Sequence, residues 1–150
     1  MDTPEPPVFS PETVKLLIEM LAPEIRDAIR AELHRHFIVV LNEHSRHVWI
    51  HVDDIAWVTV DHEIVVYHTP SLQEKSYHTC GSLKSAEEKI NNPAFFQANK
   101  NTLVNRNKVA SANTGHREII MDAGMTIHYT ETYYAVVRHA IPDFFKKMTA

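Results

Sequence analysis

The sequence predicts a mainly β fold of antiparallel strands, with an N-terminal helical segment and one or two short helices. Two patterns predict it: apolar residues recur every three or four positions before residue 37 and at alternate positions after it. With 150 residues, 44% of them hydrophobic, the chain can bury the core of about one domain. We therefore expect a flexible N-terminus at 1–10, an amphipathic helical segment at 11–36 and a β domain at 37–145.

The helical segment carries a continuous apolar stripe. Ser10 suits its N-cap, and Pro11 suits the first helical position, where a missing N–H removes no hydrogen bond. Pro23 falls within the pattern, so the helix either kinks there or ends at Ala22 before a second helix. The stripe packs on its own domain or pairs with another subunit, and periodicity does not decide between these interpretations. Its members are Val14, Leu17, Ile18, Leu21, Ile25, Ile29 and Leu33.

Short strands are predicted along the rest of the chain. Residues 37–41 and 46–52 form a hairpin, because 42–45 is turn-like and 46–52 alternates apolar with polar or aromatic residues. Residues 122–124, Asp-Ala-Gly, suit a tight turn before the last strand. The further predicted strands are 55–60, 64–67, 76–79, 102–104, 108–112, 118–121 and 126–129.

Two short helices interrupt the predicted strands. Ser82 caps the first, which ends where Asn91-Asn92-Pro93 follows residue 90. The second spans 132–141 and is stopped by Pro142.

Charge is distributed unevenly along this acidic chain. The net charge is −4 with neutral histidines, and residues 1–36 hold seven carboxylates against four bases. By contrast, 97–117 contains four bases and no carboxylate. A local basic face, of the kind that nucleic acids bind, is therefore compatible with the acidic total. The bases of this stretch are Lys100, Arg106, Lys108 and Arg117.

Several classes of protein lack support in the sequence. No apolar run approaches the roughly 20 residues of a membrane span, and 1–12 lacks the pattern of a signal peptide, so we expect a cytoplasmic protein without a membrane segment. Cys80, the single cysteine, fits a reducing compartment and is expected to be a buried or half-buried structural thiol. With no phosphate-binding glycine loop, nucleophile elbow or legible carboxylate pair, no enzyme activity is expected.

Eleven histidines raise the question of a metal site. The nearest candidate is His44, His47 and His51, but side chains spaced along a strand rarely converge on one zinc ion. We expect packed or solvated histidines, no metal and no other cofactor. Because histidine titrates near neutral pH, a pH response through these side chains is chemically available.

The order of these features resembles a LytTR-type DNA-binding domain of bacterial transcription regulators over about residues 37–145. The most specific part is 95–105, where an aromatic pair is followed by a polar segment and then by an apolar pair and asparagine. The residues that carry the resemblance are Asp54, Ile55, Trp57, Ser82, Leu83, Phe95, Phe96, Lys100, Leu103, Val104 and Asn105.

The resemblance implies an antiparallel β fold whose loops enter successive major grooves of double-stranded DNA. The family's DNA-contacting segments correspond to 61–63, 99–101 and 130–132. Lysine can donate hydrogen bonds to guanine or phosphate, and asparagine can pair with the edge of adenine. In the alternative interpretation, the asparagines of 99–101 cap a turn and Lys100 is solvated. Asn105 is expected to bond the backbone inside the fold. The predicted DNA contacts are His62, Glu63, Asn99, Lys100, Asn101, Arg106, Lys108, Thr130 and Thr132.

Two functions fit these observations. The first is sequence-specific binding of double-stranded DNA by a homodimer that pairs through the N-terminal helices. The second is a LytTR-shaped protein interaction module that has lost DNA binding, since Asp61, Glu63 and Glu131 add negative charge to two of the three segments. A basic face beside the loops favours the first function, and an exposed apolar patch on the helices without such a face favours the second.

Overall fold

The computed structural model describes residues 10–146, so the predicted flexible N-terminus at 1–10 lies outside the described residues except for Ser10. The described chain contains two N-terminal helices, a seven-stranded sheet, a three-stranded sheet and two short helices. All strand pairs in both sheets are antiparallel. The predicted fold class is confirmed.

Two helices form the N-terminal segment. Helix α1 (Pro11–Glu19) starts at Ser10, whose Oγ accepts the Thr13 N–H at 3.2 Å. Helix α2 (Pro23–His36) begins at the second proline, so the chain makes two helices instead of one kinked helix. The last residue of α2 leads directly into the first strand.

The ten strands build two sheets. In the larger sheet the order is β2-β1-β5-β4-β3-β7-β6, and in the smaller it is β10-β9-β8. The strands are β1 (Phe37–Leu41), β2 (His47–His51), β3 (Trp57–Asp61), β4 (Ile64–His68), β5 (Ser76–Cys80), β6 (Phe95–Asn99), β7 (Thr102–Asn105), β8 (Val109–Asn113), β9 (Glu118–Met121) and β10 (Thr126–His128).

Helix α3 confirms the predicted Ser82 cap. Helix α3 (Leu83–Ile90) begins with a capping box between Ser82 and Ser85, and it ends at Asn91, whose φ of 44° is left-handed. Helix α4 (Tyr134–Ala140) follows one turn of 3-10 helix at Glu131–Tyr133.

Strand β6 was not among the strands predicted from the alternating pattern. It does not alternate because both of its faces are covered: Phe95 packs in a core beneath α3, while Phe96 packs in a second core against the smaller sheet and α4. The same division separates Leu103 from Val104 in β7. The sequence therefore predicted one strand, 102–104, in the region where the structure has the β6–β7 hairpin.

Asn105 joins the end of β7 to the chain that enters β3. Its side chain is 2% exposed, and Nδ2 donates to the Ile55 carbonyl at 2.9 Å. Oδ1 accepts the Asn107 N–H at 3.0 Å, and the Asn105 backbone N–H donates to the Ala56 carbonyl at 2.9 Å. The expectation that Asn105 bonds the backbone is confirmed.

Two polar side chains outside the predicted site differ in burial. His68 stacks on Trp57 with ring centroids 4.5 Å apart, and burial lowers the pKa of His68, which favours its neutral form. Cys80 is exposed, so the expected buried or half-buried thiol is wrong. The reason is its position as the last residue of β5, directly before the chain turns through Gly81 into α3.

Replacing Asn105 with alanine should destabilise the fold by about 2–3 kcal/mol, because the Ile55 carbonyl and the Asn107 N–H lose a buried partner. Urea unfolding measures this difference. Asn107→Ala, which truncates an exposed side chain two residues away, should change stability by less than about 0.5 kcal/mol. Equal stability of Asn105→Ala and the wild type would contradict the role of these bonds.

Candidate nucleic-acid interface

The turn between β6 and β7 projects from one end of the larger sheet. The Asn99 Nδ2 donates to the His128 carbonyl at 2.8 Å, and its Oδ1 accepts the Asn101 N–H at 2.9 Å. The Asn99 amide therefore holds the turn, as the capping alternative predicted. Lys100 and Asn101 have exposed side chains that are free to meet a ligand.

The turn between β3 and β4 lies beside it. Because β3 pairs antiparallel with β7, the end of β3 meets the start of β7, and the Val60 N–H donates to the Asn101 carbonyl at 3.0 Å. His62 and Glu63 form the turn with φ values of 47° and 66°. Asn-Gly usually occupies such a turn, since larger residues strain the left-handed region. Strain of this kind is common where a loop presents functional side chains.

The segment 130–132 is fixed on the other side of the β6–β7 turn. The Thr130 N–H donates to the Ala98 carbonyl at 3.2 Å, and the Gln97 Nε2 donates to the Tyr133 hydroxyl at 3.1 Å. Thr130 and Thr132 are exposed. Strand pairing and these bonds thus bring the three predicted segments together.

The loop between β8 and β9, residues 114–117, belongs to the same edge. The Tyr129 N–H donates to the Arg117 carbonyl at 3.0 Å, which sets this loop beside 130–132. The Arg117 Nη2 lies 3.8 Å from the Glu131 Oε2. This exposed ion pair adds less than about 1 kcal/mol to stability, but it places a cation beside a carboxylate that would repel phosphate.

We call the four segments 61–63, 99–101, 114–117 and 128–132 the loop edge. Arg117 and His128 were missing from the predicted contacts. A signal for Arg117 existed in the sequence, since it ends the stretch 97–117 that lacks carboxylates. Strand pairing was needed to place it beside 130–132, because β9 and β10 separate it from that segment in sequence.

A hollow of about 860 Å³ lies between the two hairpin turns and α3. Its polar lining includes Asp61, Lys84, Glu87 and Lys100, which belong to three different elements. The part of the loop edge formed by 61–63 and 99–101 therefore borders a concave surface of mixed charge.

Arg106 and Lys108 lie away from the loop edge. They follow the opposite end of β7, which spans about 13 Å at roughly 3.3 Å per residue. The Arg106 N–H donates to the Ala94 carbonyl, and Lys108 lines a small pocket with Asp54 and Asp122. The structure thus divides the basic stretch of the sequence between two ends of the sheet.

The part of the chain that the structure describes contains neither a group of metal-binding side chains nor a membrane-spanning helix. Within 10–146, no three histidine, cysteine or acidic side chains are grouped so that they could hold a metal ion. The His51 Nδ1 instead accepts the Asp53 N–H at 3.0 Å. No helix in this range has the length and hydrophobicity needed to cross a bilayer.

Comparison with known proteins identifies the domain type. The family model described as the LytTr DNA-binding domain matches residues 45–141. The fold is similar to a solved LytTr DNA-binding domain from Bacillus cereus, with a TM-score of 0.60 and 14% identity over 71% of this chain and 96% of that chain. Curated proteins gave no match.

Replacing Asn99 with aspartate should loosen the loop edge, because aspartate cannot donate to the His128 carbonyl but can still accept the Asn101 N–H. We expect a loss of about 1–2 kcal/mol in urea unfolding and faster hydrogen exchange at the Thr130 N–H. Asn101→Asp makes the same charge change on an exposed side chain and should leave both nearly unchanged. Identical behaviour of the two variants would refute the role of the donor.

Proposed function

The chain belongs to the LytTr family of DNA-binding domains, and we propose that it binds double-stranded DNA sequence-specifically as a bacterial transcription regulator. The observation that carries the proposal is the meeting of 61–63, 99–101 and 130–132 on the loop edge. These segments come from two hairpin turns and from the chain that follows β10, yet main-chain and amide hydrogen bonds hold them side by side. A protein that binds chromosomal DNA in a bacterium would be located in the cytoplasm.

The central turn provides the main reader in this proposal. Lys100 offers an ammonium group to guanine or phosphate, and Asn101 offers a donor and an acceptor to adenine in the major groove. Asn99 positions both, since its amide is bonded to the His128 carbonyl and the Asn101 N–H. Asn99, one of the predicted DNA contacts, therefore contributes by positioning Lys100 and Asn101.

The flanking segments supply further contacts. Glu63 can accept from the amine of cytosine, and His62 can bond base edges or phosphate. Thr130 and Thr132 can donate to phosphates, while Arg117 offsets the charge of Glu131.

Arg106 and Lys108 stay predictions with a different geometry. At the far end of β7 they could touch only DNA that extends past the loop edge. They would then contact phosphates, which adds affinity for DNA without adding sequence specificity.

The N-terminal helices are proposed to pair two copies of the chain. Their exposed apolar side chains form a patch unusual for a lone surface helix, with exposures from 37% to 82%. The first half of α2 carries Glu24, Arg26 and Asp27, and the second half carries Arg30, Glu32 and Arg35, so the halves have net charges of −1 and +1 with neutral histidines. Antiparallel pairing of two copies would set opposite charges across the interface. The exposed residues are Leu16, Leu17, Met20, Leu21 and Ile25.

A dimer would strengthen DNA binding by local concentration. Once one domain is bound, its partner searches a nearby half-site at high effective concentration. This compensates for weak phosphate attraction at an edge where carboxylates outnumber lysine and arginine.

The same helical patch also supports a second candidate, a protein interaction module that no longer binds DNA. It would engage another regulator through the helices, and the carboxylates of the loop edge would have no DNA to repel. DNA titration separates the two candidates.

Lys100→Ala should weaken binding to labelled random-sequence duplex DNA about five- to tenfold and reduce the salt slope by about one, since one phosphate contact is lost. Fluorescence anisotropy at two salt concentrations measures both. Lys15→Ala removes the same charge from α1 and should bind like the wild type. Lys108→Ala tests the far end of β7. Absence of wild-type binding at low salt would favour the interaction module.

Leu17→Glu should shift the chain from dimer to monomer, because it puts a charge into the apolar patch of α1. Light scattering across a concentration series should show at least a tenfold weaker association, of the size that about 1.4 kcal/mol produces. Met125→Glu makes a comparable change at a side chain that is 49% exposed in the β9–β10 turn and should remain dimeric. A monomeric wild type at high micromolar concentration would rule out this interface.

A further inference from the structure

Three histidines from three separate segments of the chain lie on the loop edge. His62 belongs to the β3–β4 turn, His116 to the β8–β9 loop, and His128 ends β10; all three are exposed. They are far apart in sequence and share no motif. Strand pairing brings them to the surface that the proposed function assigns to DNA.

The charge of the loop edge depends on these histidines. When they are neutral, three carboxylates outnumber two bases and the edge has a net charge of −1. When all three are protonated, the net charge becomes +2. The other charged residues of the edge are Asp61, Glu63, Lys100, Arg117 and Glu131.

Charged groups on neighbouring elements do not remove this change of sign. Lys84 and Glu87 of α3 border the hollow, and Glu118 pairs across β9 and β10 with His128. With these three groups included, the net charge is −2 when the histidines are neutral and +1 when they are protonated. The reversal therefore holds with or without the neighbours.

The local partners of each histidine are also defined. The His62 Nε2 lies 3.4 Å from the Asp61 Oδ1, so a protonated His62 would neutralise one of the carboxylates that face DNA. His128 has Glu118 opposite it, and the His116 backbone N–H donates to the Asn113 Oδ1. Near Arg117, burial raises the pKa of Tyr129, which favours its neutral phenol.

We infer that protonation of His62, His116 and His128 reverses the charge of the loop edge and makes DNA binding by this chain acid-dependent. The inference rests on the proposed function. Histidine gains its charge between about pH 5 and 8, a range in which the DNA phosphates do not titrate. DNA binds the protonated form better, so affinity falls as pH rises through this range.

The test compares binding of labelled random-sequence duplex DNA at about pH 6 and about pH 8 at one ionic strength. The wild type should bind at least about tenfold more tightly at the lower pH, with a salt slope steeper by about 0.9 for each added phosphate contact. A variant with His62→Gln, His116→Gln and His128→Gln should change less than about twofold, since glutamine keeps polar contacts without titrating.

A matched control replaces three exposed histidines elsewhere: His44 and His47 in the β1–β2 hairpin and His139 on α4. With all three changed to glutamine, the chain should keep the full pH response. Circular dichroism at both pH values checks folding, and if the first triple variant is unfolded, the three single variants should each lose about a third of the logarithmic response.

The outcomes distinguish this inference from the proposed function. DNA binding with equal pH dependence in the wild type and in the loop-edge variants, or with none in the wild type, overturns the inference and leaves the proposed function intact. No DNA binding at either pH, even at low salt, overturns both.

Discussion

The antiparallel pairing of β7 with β3 determines where the loop edge, the proposed DNA interface, forms. Asn105 closes one end of this pair through the Ile55 and Ala56 carbonyls, and the Val60 N–H closes the other on the Asn101 carbonyl. A slip of one residue would exchange Leu103 and Val104 between the two cores, so packing fixes the register. With that register, two hairpin turns must project from the same end of the sheet.

In the proposed function, positioning and recognition are performed by neighbouring residues of the loop edge. Asn99 uses its amide inside the protein, and this bond anchors a turn whose adjacent side chains are exposed. The neighbouring β3–β4 hairpin holds His62 and Glu63 in left-handed conformations, and both side chains are exposed to solvent. A surface built this way depends on strand pairing for its shape and on a few exposed side chains for its chemistry.

Electrostatics distinguishes this edge from an ordinary basic DNA-binding face. The bases that share the stretch 97–108 are divided between the two ends of β7, and Arg117 is paired with Glu131. Long-range attraction to phosphate is therefore small at neutral pH, and contact-specific bonds, dimerisation and histidine protonation gain importance in the proposed mechanism. The exposed apolar side chains of α1 and α2 provide the surface on which dimerisation would depend.

The sequence by itself determined the fold class, most strand positions, the Ser82 cap and the inward role of Asn105, because periodicity and capping are local properties. It did not predict β6, which lies between two cores and loses the alternation expected of a half-buried strand. Nor could it place Arg117 on the loop edge or separate Arg106 from it. Those positions follow from pairing between strands distant in the chain, so only the tertiary structure decided them.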